Sequence, residues 1–361
     1  METGFNEKKR INRALQILKQ EKVDAFLLTD LINIRYLSGF KGSEASAMIT
    51  PEALFLLVDS RYTAQAKIEA PLFRVSKILK RTEDTIKLIK RLKLKKVGFD
   101  AMAISYADFQ ELEKGLLGCT LVPAGEKIRT LRIKKEKEEV KIIRQAITIS
   151  TQGLHEMKKQ IKPGVIEKEV AKAYEVAVKE MGADKLSFET QVASGKRSAM
   201  PHGVASNKKI GKRELVVLDF GIQYQDYNSD ETCTLVTGKP TLKQKEIFSI
   251  VKTAHDRAID YIKPGVSSRK VDEKARGYIA KRGFERYFGH ATGHGVGLLL
   301  HEEPHISPLK NEILEEGMIF SIEPGIYLPN WGGVRIEDIV MVTKNGCEVL
   351  TLVPKKLETL Q

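Results

Sequence analysis

The chemistry-bearing residues of this 361-residue chain are concentrated in one stretch. His290, His294 and His301 lie within twelve residues of one another, among glycines and a short apolar run. Imidazole is the commonest metal ligand and proton shuttle in proteins, and glycine allows a close approach of the backbone to a site. The alternative is a glycine-rich β segment with merely hydrogen-bonded histidines. Three histidines at this density favour a metal or catalytic site.

Four carboxylates occur in or beside strand-like sequence. Asp219 and Asp230 are eleven residues apart, Glu323 and Glu337 are fourteen apart, and turn-forming residues separate each pair. A hairpin in each segment would place its two carboxylates roughly opposite one another. Buried carboxylates must be paired or bind a cation, and four converging ones cannot all stay ionised without positive charge. One histidine and two metal ions would supply that charge.

The second part of the chain contains an internal repeat. The pentapeptide Ile-Lys-Pro-Gly-Val occupies residues 161–165 and again 262–266. Each copy lies between two predicted helices, and each is followed by a histidine segment and then by one of the carboxylate hairpins. The first histidine segment contains His202. This order indicates a duplication, so we expect two similar halves that pack around a pseudo-two-fold axis with their hairpins facing each other.

Residues 1–127 alternate between strand and helix patterns, which predicts an α/β domain with a largely parallel or mixed sheet. We expect strands near residues 25–28, 53–59 and 97–99, a helix over 6–22, and helices capped by Thr82 and Ser105. From Ile128 the composition changes and a charged segment leads into a long helix. We therefore place the second domain, of α+β type, at 128–361.

Composition bounds the setting of the protein. With 42% apolar and 30% charged residues, no run approaches a membrane span, and no secretory signal is visible. Three widely spaced cysteines (Cys119, Cys233 and Cys347) fit a reducing, cytoplasmic location. The net charge of +13 raises the question of nucleic acid, but the lysines are spread along helical faces. We expect a solvated basic surface, with no nucleic-acid or membrane partner.

Five of these residues form a set that resembles the ligand pattern of the pita-bread metallopeptidases, which include methionine aminopeptidase, aminopeptidase P and prolidase. The set is Asp219, Asp230, His294, Glu323 and Glu337. The motifs around His202, His301 and Tyr327 look like the Xaa-Pro peptidase branch of that family. Residues 33–42 and 58–62 resemble the creatinase-like domain of the same branch. The resemblance implies a creatinase-like α/β domain followed by a duplicated α+β pita-bread catalytic domain.

The resemblance also implies two divalent ions per subunit, Mn²⁺ or Co²⁺. Asp219 would bind one ion, His294 and Glu323 the other, and Asp230 and Glu337 would bridge both. Two ions about 3.5–4 Å apart can lower the pKa of a shared water, which would then attack the scissile carbonyl.

The remaining site residues take their roles from the resemblance. His202 and His301 would orient the substrate and stabilise the tetrahedral intermediate or the leaving nitrogen, and Glu323 would help to move a proton. Arg335 would support the carboxylates. Tyr327 and His290 would line the pocket. The implied substrates are peptides with proline in the second position, and the implied assembly is a homodimer.

Two positions depart from the family pattern. Cys233 stands where relatives commonly carry Arg, and His305 stands where dipeptidase-like members often have Arg. Arginine is the best ligand for the free carboxylate of a dipeptide. We therefore favour an Xaa-Pro aminopeptidase that also accepts dipeptides over a strict Xaa-Pro dipeptidase.

Three other functions are weighed against this one. A creatinase-like C–N hydrolase lacks the complete metal set. An inactive pita-bread binding domain would have no reason to keep it. Methionine aminopeptidase usually lacks the long N-terminal domain.

Overall fold

The chain divides into two compact units, Met1–Arg132 and Ile133–Gln361. The computed structural model describes residues 5–360, and within that range no helix is both long and apolar enough to cross a lipid bilayer. The predicted domain boundary, after residue 127, falls inside the helix Gly125–Arg129, a few residues before the division between the compact units.

The first unit is a six-stranded mixed sheet with helices. In the order β4-β3-β2-β1-β5-β6, β2 is antiparallel to both its neighbours and the other neighbouring strands are parallel, which confirms the predicted α/β class. The strands are β1 (Ala25–Leu28), β2 (Ser46–Ile49), β3 (Leu54–Val58), β4 (Arg74–Lys77), β5 (Lys96–Phe99) and β6 (Thr120–Pro123). The helices are α1 (Glu7–Gln20), α2 (Leu31–Ser38), α3 (Thr63–Glu69), α4 (Arg81–Arg91), α5 (Tyr106–Gly115) and α6 (Gly125–Arg129).

Three of the six helices described in this unit begin at a side-chain cap, which is Asn6, Asp30 or Ser105. Ser105 caps α5 by accepting a hydrogen bond from the backbone N–H of Asp108, as predicted. The prediction that Thr82 caps α4 is wrong, because Lys80 occupies the cap position and Thr82 is the second residue of the helix. The Thr82 hydroxyl instead donates to Asp108, 2.9 Å away. Tertiary contact therefore outweighs the local capping preference at this position.

The second unit combines two helix pairs with four antiparallel or mixed sheets. The sheet orders are β11-β10-β7, β20-β12-β9-β8, β14-β13-β15-β18-β19 and β16-β17. The helices are α7 (Lys137–Gln160), α8 (Glu167–Glu180), α9 (Leu242–Tyr261) and α10 (Ser268–Lys281). The strands are β7 (Lys185–Leu186), β8 (Gln191–Ser194), β9 (Leu215–Phe220), β10 (Ile222–Tyr224), β11 (Tyr227–Asn228), β12 (Glu231–Thr237), β13 (Gly293–Gly295), β14 (Glu302–Ile306), β15 (Ile319–Ile322), β16 (Gly325–Leu328), β17 (Gly332–Arg335), β18 (Asp338–Val342), β19 (Cys347–Val349) and β20 (Thr359–Leu360).

The two halves of this unit repeat one plan. Helices α7 and α8 pack on β8, β9 and β12 in one core, and α9 and α10 pack on β15 and β18 in another. The repeated pentapeptide makes the same hydrogen bond in both halves. The N–H of Gly164 donates to the carbonyl of Ile210 at 2.8 Å, and the N–H of Gly265 donates to the carbonyl of Leu314 at 2.9 Å. The structure thus contains the duplication that the sequence predicts.

The repeated glycines test whether backbone conformation fixes this turn. Gly265 has φ +87°, and a Cβ added there would meet no atom within 4 Å, so only backbone strain opposes a side chain. We expect Gly265→Ala to lower the free energy of unfolding by about 1–2 kcal/mol. Gly277, inside α10, is equally uncrowded. Gly277→Ala should therefore raise the free energy by about 0.5–1 kcal/mol. Urea unfolding of both variants measures this; the same sign for both would contradict it.

Candidate active site

A cavity of about 560 Å³ in the second unit brings together ten of the eleven predicted site residues. Its wall contains residues from both halves of the duplication. The ten residues are His202, Asp219, Asp230, His290, His294, His301, His305, Glu323, Arg335 and Glu337. The eleventh, Tyr327, lies behind the wall, where it is buried and bonded to wall residues. Tyr327 thus contacts the cavity through His290 and Arg335, and its predicted role in lining the substrate pocket stays a prediction.

The first hairpin positions Asp219 and Asp230 on one face. In the β9·β12 ladder the residue opposite Asp219 is Thr232, not Asp230 as predicted. Asp230 directly precedes β12, two residues from Thr232, which makes it the diagonal neighbour of Asp219 on the same face. The turn lies at Gln225 and Asp226, which both have positive φ. The predicted hairpin exists with a register shifted by two residues.

The second hairpin places Glu323 and Glu337 at a junction between two ladders. Ile322 pairs with Asp338 in β15·β18, and Gly325 pairs with Arg335 in β16·β17. Both pairs share one register, and the same register sets Glu323 opposite Glu337, as predicted. Neither glutamate is part of a ladder, because Glu323 directly follows β15 and Glu337 directly precedes β18. Both therefore lie at the cavity where the strands are interrupted.

The glycines on either side of His294 allow β14 and β15 to lie very close to β13. A Cβ on Gly293 would lie 1.8 Å from the Ser321 carbonyl oxygen, and one on Gly295 would lie 2.2 Å from that of Glu303. The Nδ1 atom of His294 lies 3.1 Å from the Gly295 carbonyl oxygen. That contact assigns the proton to Nδ1 and leaves Nε2 with a free lone pair toward the cavity.

The donor atoms around His294 suit a metal ion. Its Nε2 lies 3.4 Å from a carboxylate oxygen of Asp230 and 3.4 Å from one of Glu323. Ligand atoms of Asp230, His294 and Glu337 all lie within 4.8 Å of one another. One imidazole with several carboxylate oxygens is a donor set that divalent transition metals accept.

The electrostatics of the carboxylates point to the same fit. Burial raises the pKa of Asp219, and it raises the pKa of Asp230 and Glu337 well above the usual range, with further increases from their mutual repulsion. Asp219 Oδ1 and Glu337 Oε1 are buried and accept no hydrogen bond from the residues that the structure describes. Buried acceptors without donors are costly unless a cation binds them. The residues present therefore fit a metal centre.

Arg335 supports this cluster from behind. Its guanidinium donates to Asp219 Oδ2 at 2.6 Å, to the Pro201 carbonyl at 2.9 Å and to the Tyr327 hydroxyl at 2.9 Å. The Tyr327 hydroxyl also lies 2.9 Å from Nε2 of His290, whose Nδ1 faces the Ala291 carbonyl oxygen at 2.8 Å. Burial raises the pKa of Tyr327 to about 12, so it stays protonated and can donate to His290. The chain of hydrogen bonds fixes both Asp219 and His290.

Three histidines form the open side of the cavity. The rings of His301 and His294 are in edge contact with centroids 4.2 Å apart, and burial together with His294 lowers the pKa of His301 to about 4. A neutral imidazole offers one donor and one acceptor to a substrate at pH 7. His202 is exposed on the wall. His305 pairs with His294 across β13·β14.

Sequence reasoning missed several residues of the site. Thr232 donates to Glu337 at 2.6 Å and accepts from Arg335 at 3.2 Å, so it links the two hairpins. Its position two residues after Asp230, on the same face of a strand, was a usable signal. Phe188, Glu189 and Leu300 also line the cavity. Their residue types and spacing carry no comparable signal.

Comparison with known proteins identifies the family of both parts of the chain. Residues 141–344 match metallopeptidase family M24, and residues 10–134 match the creatinase/prolidase N-terminal domain. An Xaa-Pro dipeptidase of Pyrococcus horikoshii is 39% identical over 354 residues, covering 98% of this chain and 99% of that protein.

Solved structures give the same result. An Xaa-Pro dipeptidase from Bacillus anthracis superposes with a TM-score of 0.95 at 37% identity, covering 98% of this chain and all of that one. An X-Pro aminopeptidase from Thermotoga maritima superposes with a TM-score of 0.89 at 36% identity, covering 97% and 99%. Both kinds of peptide-length preference thus occur among proteins similar to this chain.

Removing one buried charge tests the electrostatics of the cluster. The folded protein holds protons on these carboxylates more tightly than the unfolded chain, so the stability of the metal-free protein falls as pH rises through the raised pKa values. We expect Asp230→Asn to raise the melting temperature of the metal-free protein at pH 7 and to reduce the further rise on adding Mn²⁺. Each 1 kcal/mol corresponds to about 2–4 °C in a domain of this size.

The control for this experiment is Asp260→Asn, at an exposed position of α9, which should change neither melting temperature. An Asp230→Asn protein that melts lower without metal and gains as much from Mn²⁺ as the parent would contradict the electrostatic account.

Proposed function

Because this chain belongs to metallopeptidase family M24 and carries a creatinase/prolidase N-terminal domain, we propose that it is an Xaa-Pro aminopeptidase that also accepts Xaa-Pro dipeptides. The coarser function, a prolidase-like metallo-exopeptidase, follows from the family and its similar proteins. The observation that carries the proposal is the convergence of Asp230, His294 and Glu337 at a cavity wall. An inactive binding domain finds no support, since such a domain has no use for this buried acidic cluster.

We assign the metal ligands from the geometry and the family pattern together. Asp219 would hold one divalent ion, His294 and Glu323 a second, and Asp230 and Glu337 would bridge them. Oxygen-rich ligation is compatible with Mn²⁺, and Co²⁺ is the other candidate.

The protein groups would do the following work on a bound peptide. When bound, the two ions would polarise the scissile carbonyl and lower the pKa of a water. Glu323, which lines the cavity, would help to move a proton there. His301 and His202 would donate hydrogen bonds to the developing oxyanion or the leaving proline nitrogen. Arg335 would hold Asp219 in place throughout.

The setting of the enzyme is a further part of the proposal. Peptides with proline at the second position are the substrates that we propose. A homodimer, a cytoplasmic location and the absence of a nucleic-acid partner are predictions from the sequence and the family. Light scattering tests the homodimer, and a gel-shift assay at physiological salt tests the absence of nucleic-acid binding.

Two variants distinguish a residue that binds metal from a residue that orients the substrate. Glu337→Ala should lose at least one metal ion and nearly all turnover, because its carboxylate would bridge both ions. His301→Ala should keep its metal content and lose a factor of about 10² or more in kcat. Metal analysis after gel filtration and Ala-Pro-Ala hydrolysis measure both. Full metal content and activity in Glu337→Ala would overturn the ligand assignment, and metal loss in His301→Ala would make that histidine a ligand.

Peptide length should depend on His305. A neutral imidazole carries no charge at pH 7, whereas arginine binds a carboxylate through a fixed, charged fork. We expect kcat/KM for Ala-Pro-Ala to be at least equal to that for Ala-Pro in the parent, and His305→Arg to shift the ratio toward Ala-Pro. A parent that cleaves only dipeptides would show that other residues hold the carboxylate.

A further inference from the structure

A second polar cluster lies behind the metal-ligand candidates. Glu231 and Asp338 each directly follow a proposed bridging ligand, and side-chain alternation along a strand turns them away from the cavity. Both are buried. Glu231 accepts a hydrogen bond from Thr151 of α7 at 3.0 Å, and Asp338 lies 3.0 Å from Nε2 of His255 of α9. Each half of the duplication thus contributes one carboxylate to this cluster.

Lys355 supplies positive charge to the cluster. It belongs to residues 350–360, which follow β19 and are called the C-terminal segment below. Its ammonium donates to the backbone carbonyl of Glu337 at 2.5 Å and lies 2.8 Å from Asp338 Oδ1. The Lys355 side chain is 14% exposed and that of Asp338 is 4% exposed, so solvent screens the pair only weakly. The hydroxyl of Thr351, on the same segment, also donates to Asp338.

The contact with Glu337 has a consequence for the proposed metal centre. Glu337 is held at its carboxylate by the Thr232 hydroxyl, at its N–H by the Thr232 carbonyl at 3.1 Å, and at its own carbonyl by Lys355. Partners that fix a metal ligand in its binding orientation raise metal affinity, and their loss typically costs 10–100-fold. Without Lys355, Glu337 loses one of these three restraints, and its backbone loses one of the two that act on it.

We propose that Lys355 is a positioning residue for Glu337, and that the C-terminal segment contributes to metal affinity through it. This inference rests on the proposed role of Glu337 as a bridging ligand. The competing explanation is that Lys355 only attaches the C-terminal segment to the fold.

The chain offers a matched control for that explanation. Lys158 also binds the C-terminal segment, through Glu358 at 2.6 Å, and its side chain is likewise 14% exposed. Among the residues that the structure describes, the Lys158 ammonium bonds to Glu358 and forms no hydrogen bond or ion pair with Glu337, so it attaches the same segment without touching the metal-ligand candidates. Lys158→Met therefore reproduces the loss of attachment alone.

The experiment compares Lys355→Met, Lys355→Arg and Lys158→Met with the parent. Titration calorimetry with Mn²⁺ on metal-depleted protein gives the affinity, and the melting temperature without metal gives the stability. We expect Lys355→Met to weaken Mn²⁺ binding about 10–100-fold, with a fall in kcat for Ala-Pro-Ala and a smaller change in KM. Lys158→Met should lower the melting temperature while its Mn²⁺ affinity stays within about twofold of the parent.

Each outcome decides the proposal. Equal Mn²⁺ affinity in Lys355→Met and the parent overturns it, as does an equal loss in Lys158→Met. If Lys355→Met does not fold, Lys355→Arg decides, because arginine keeps the charge but cannot place a single compact ammonium between a carbonyl and a carboxylate. A weaker affinity in Lys355→Arg supports the proposal and an unchanged one overturns it. A parent that binds neither Mn²⁺ nor Co²⁺ would instead contradict the proposed metal centre.

Discussion

The structure of the second unit depends on the cost of burying several carboxylates together. Two like charges 4 Å apart repel by about 4 kcal/mol at an effective dielectric constant of 20. A whole domain is stable by only about 5–15 kcal/mol, so a few such contacts can equal the total. Arg335 donates a hydrogen bond of 2.6 Å to Asp219 and its single charge offsets only part of this repulsion. The remaining acidic charge at the cavity is understandable if the protein folds around divalent cations.

The duplication explains how a chain can bring these groups together accurately. Each half supplies a helix pair, a core and a hairpin with two carboxylates, and the repeated glycine turns give both halves the same hydrogen-bond pattern. The ligand candidates then lie on strands or directly beside them, and two separate cores fix the positions of those strands. Single side chains such as His301, Arg335 and Lys355 adapt this symmetrical frame to an asymmetric task.

Much of this architecture could be predicted from the sequence, because it depends on patterns with a physical period. Strand alternation and the repeated pentapeptide predicted the α/β unit and the duplication. The residues expected at the site came from the spacing of the histidines and carboxylates together with the family resemblance. The register of Glu323 and Glu337 followed from a turn centred between them. The predicted pairing of Asp219 was wrong by two residues because the turn is centred between Gln225 and Asp226, one residue beyond the midpoint of Asp219 and Asp230. The prediction that Thr82 caps α4 was wrong because the hydrogen-bond partner of Thr82, Asp108, is distant in sequence. The position of Tyr327 and the contact of Lys355 with Glu337 depend likewise on long-range packing.

The central claim is that the acidic cavity holds two ions in one arrangement of five ligands. Anomalous X-ray diffraction from crystals grown with Mn²⁺ tests it most directly, because the signal locates each ion independently of the protein coordinates. The account predicts two peaks about 3.5–4 Å apart, one beside Asp219 and the other beside His294 and Glu323, with Asp230 and Glu337 between them. A single peak, or peaks away from these five side chains, would contradict it.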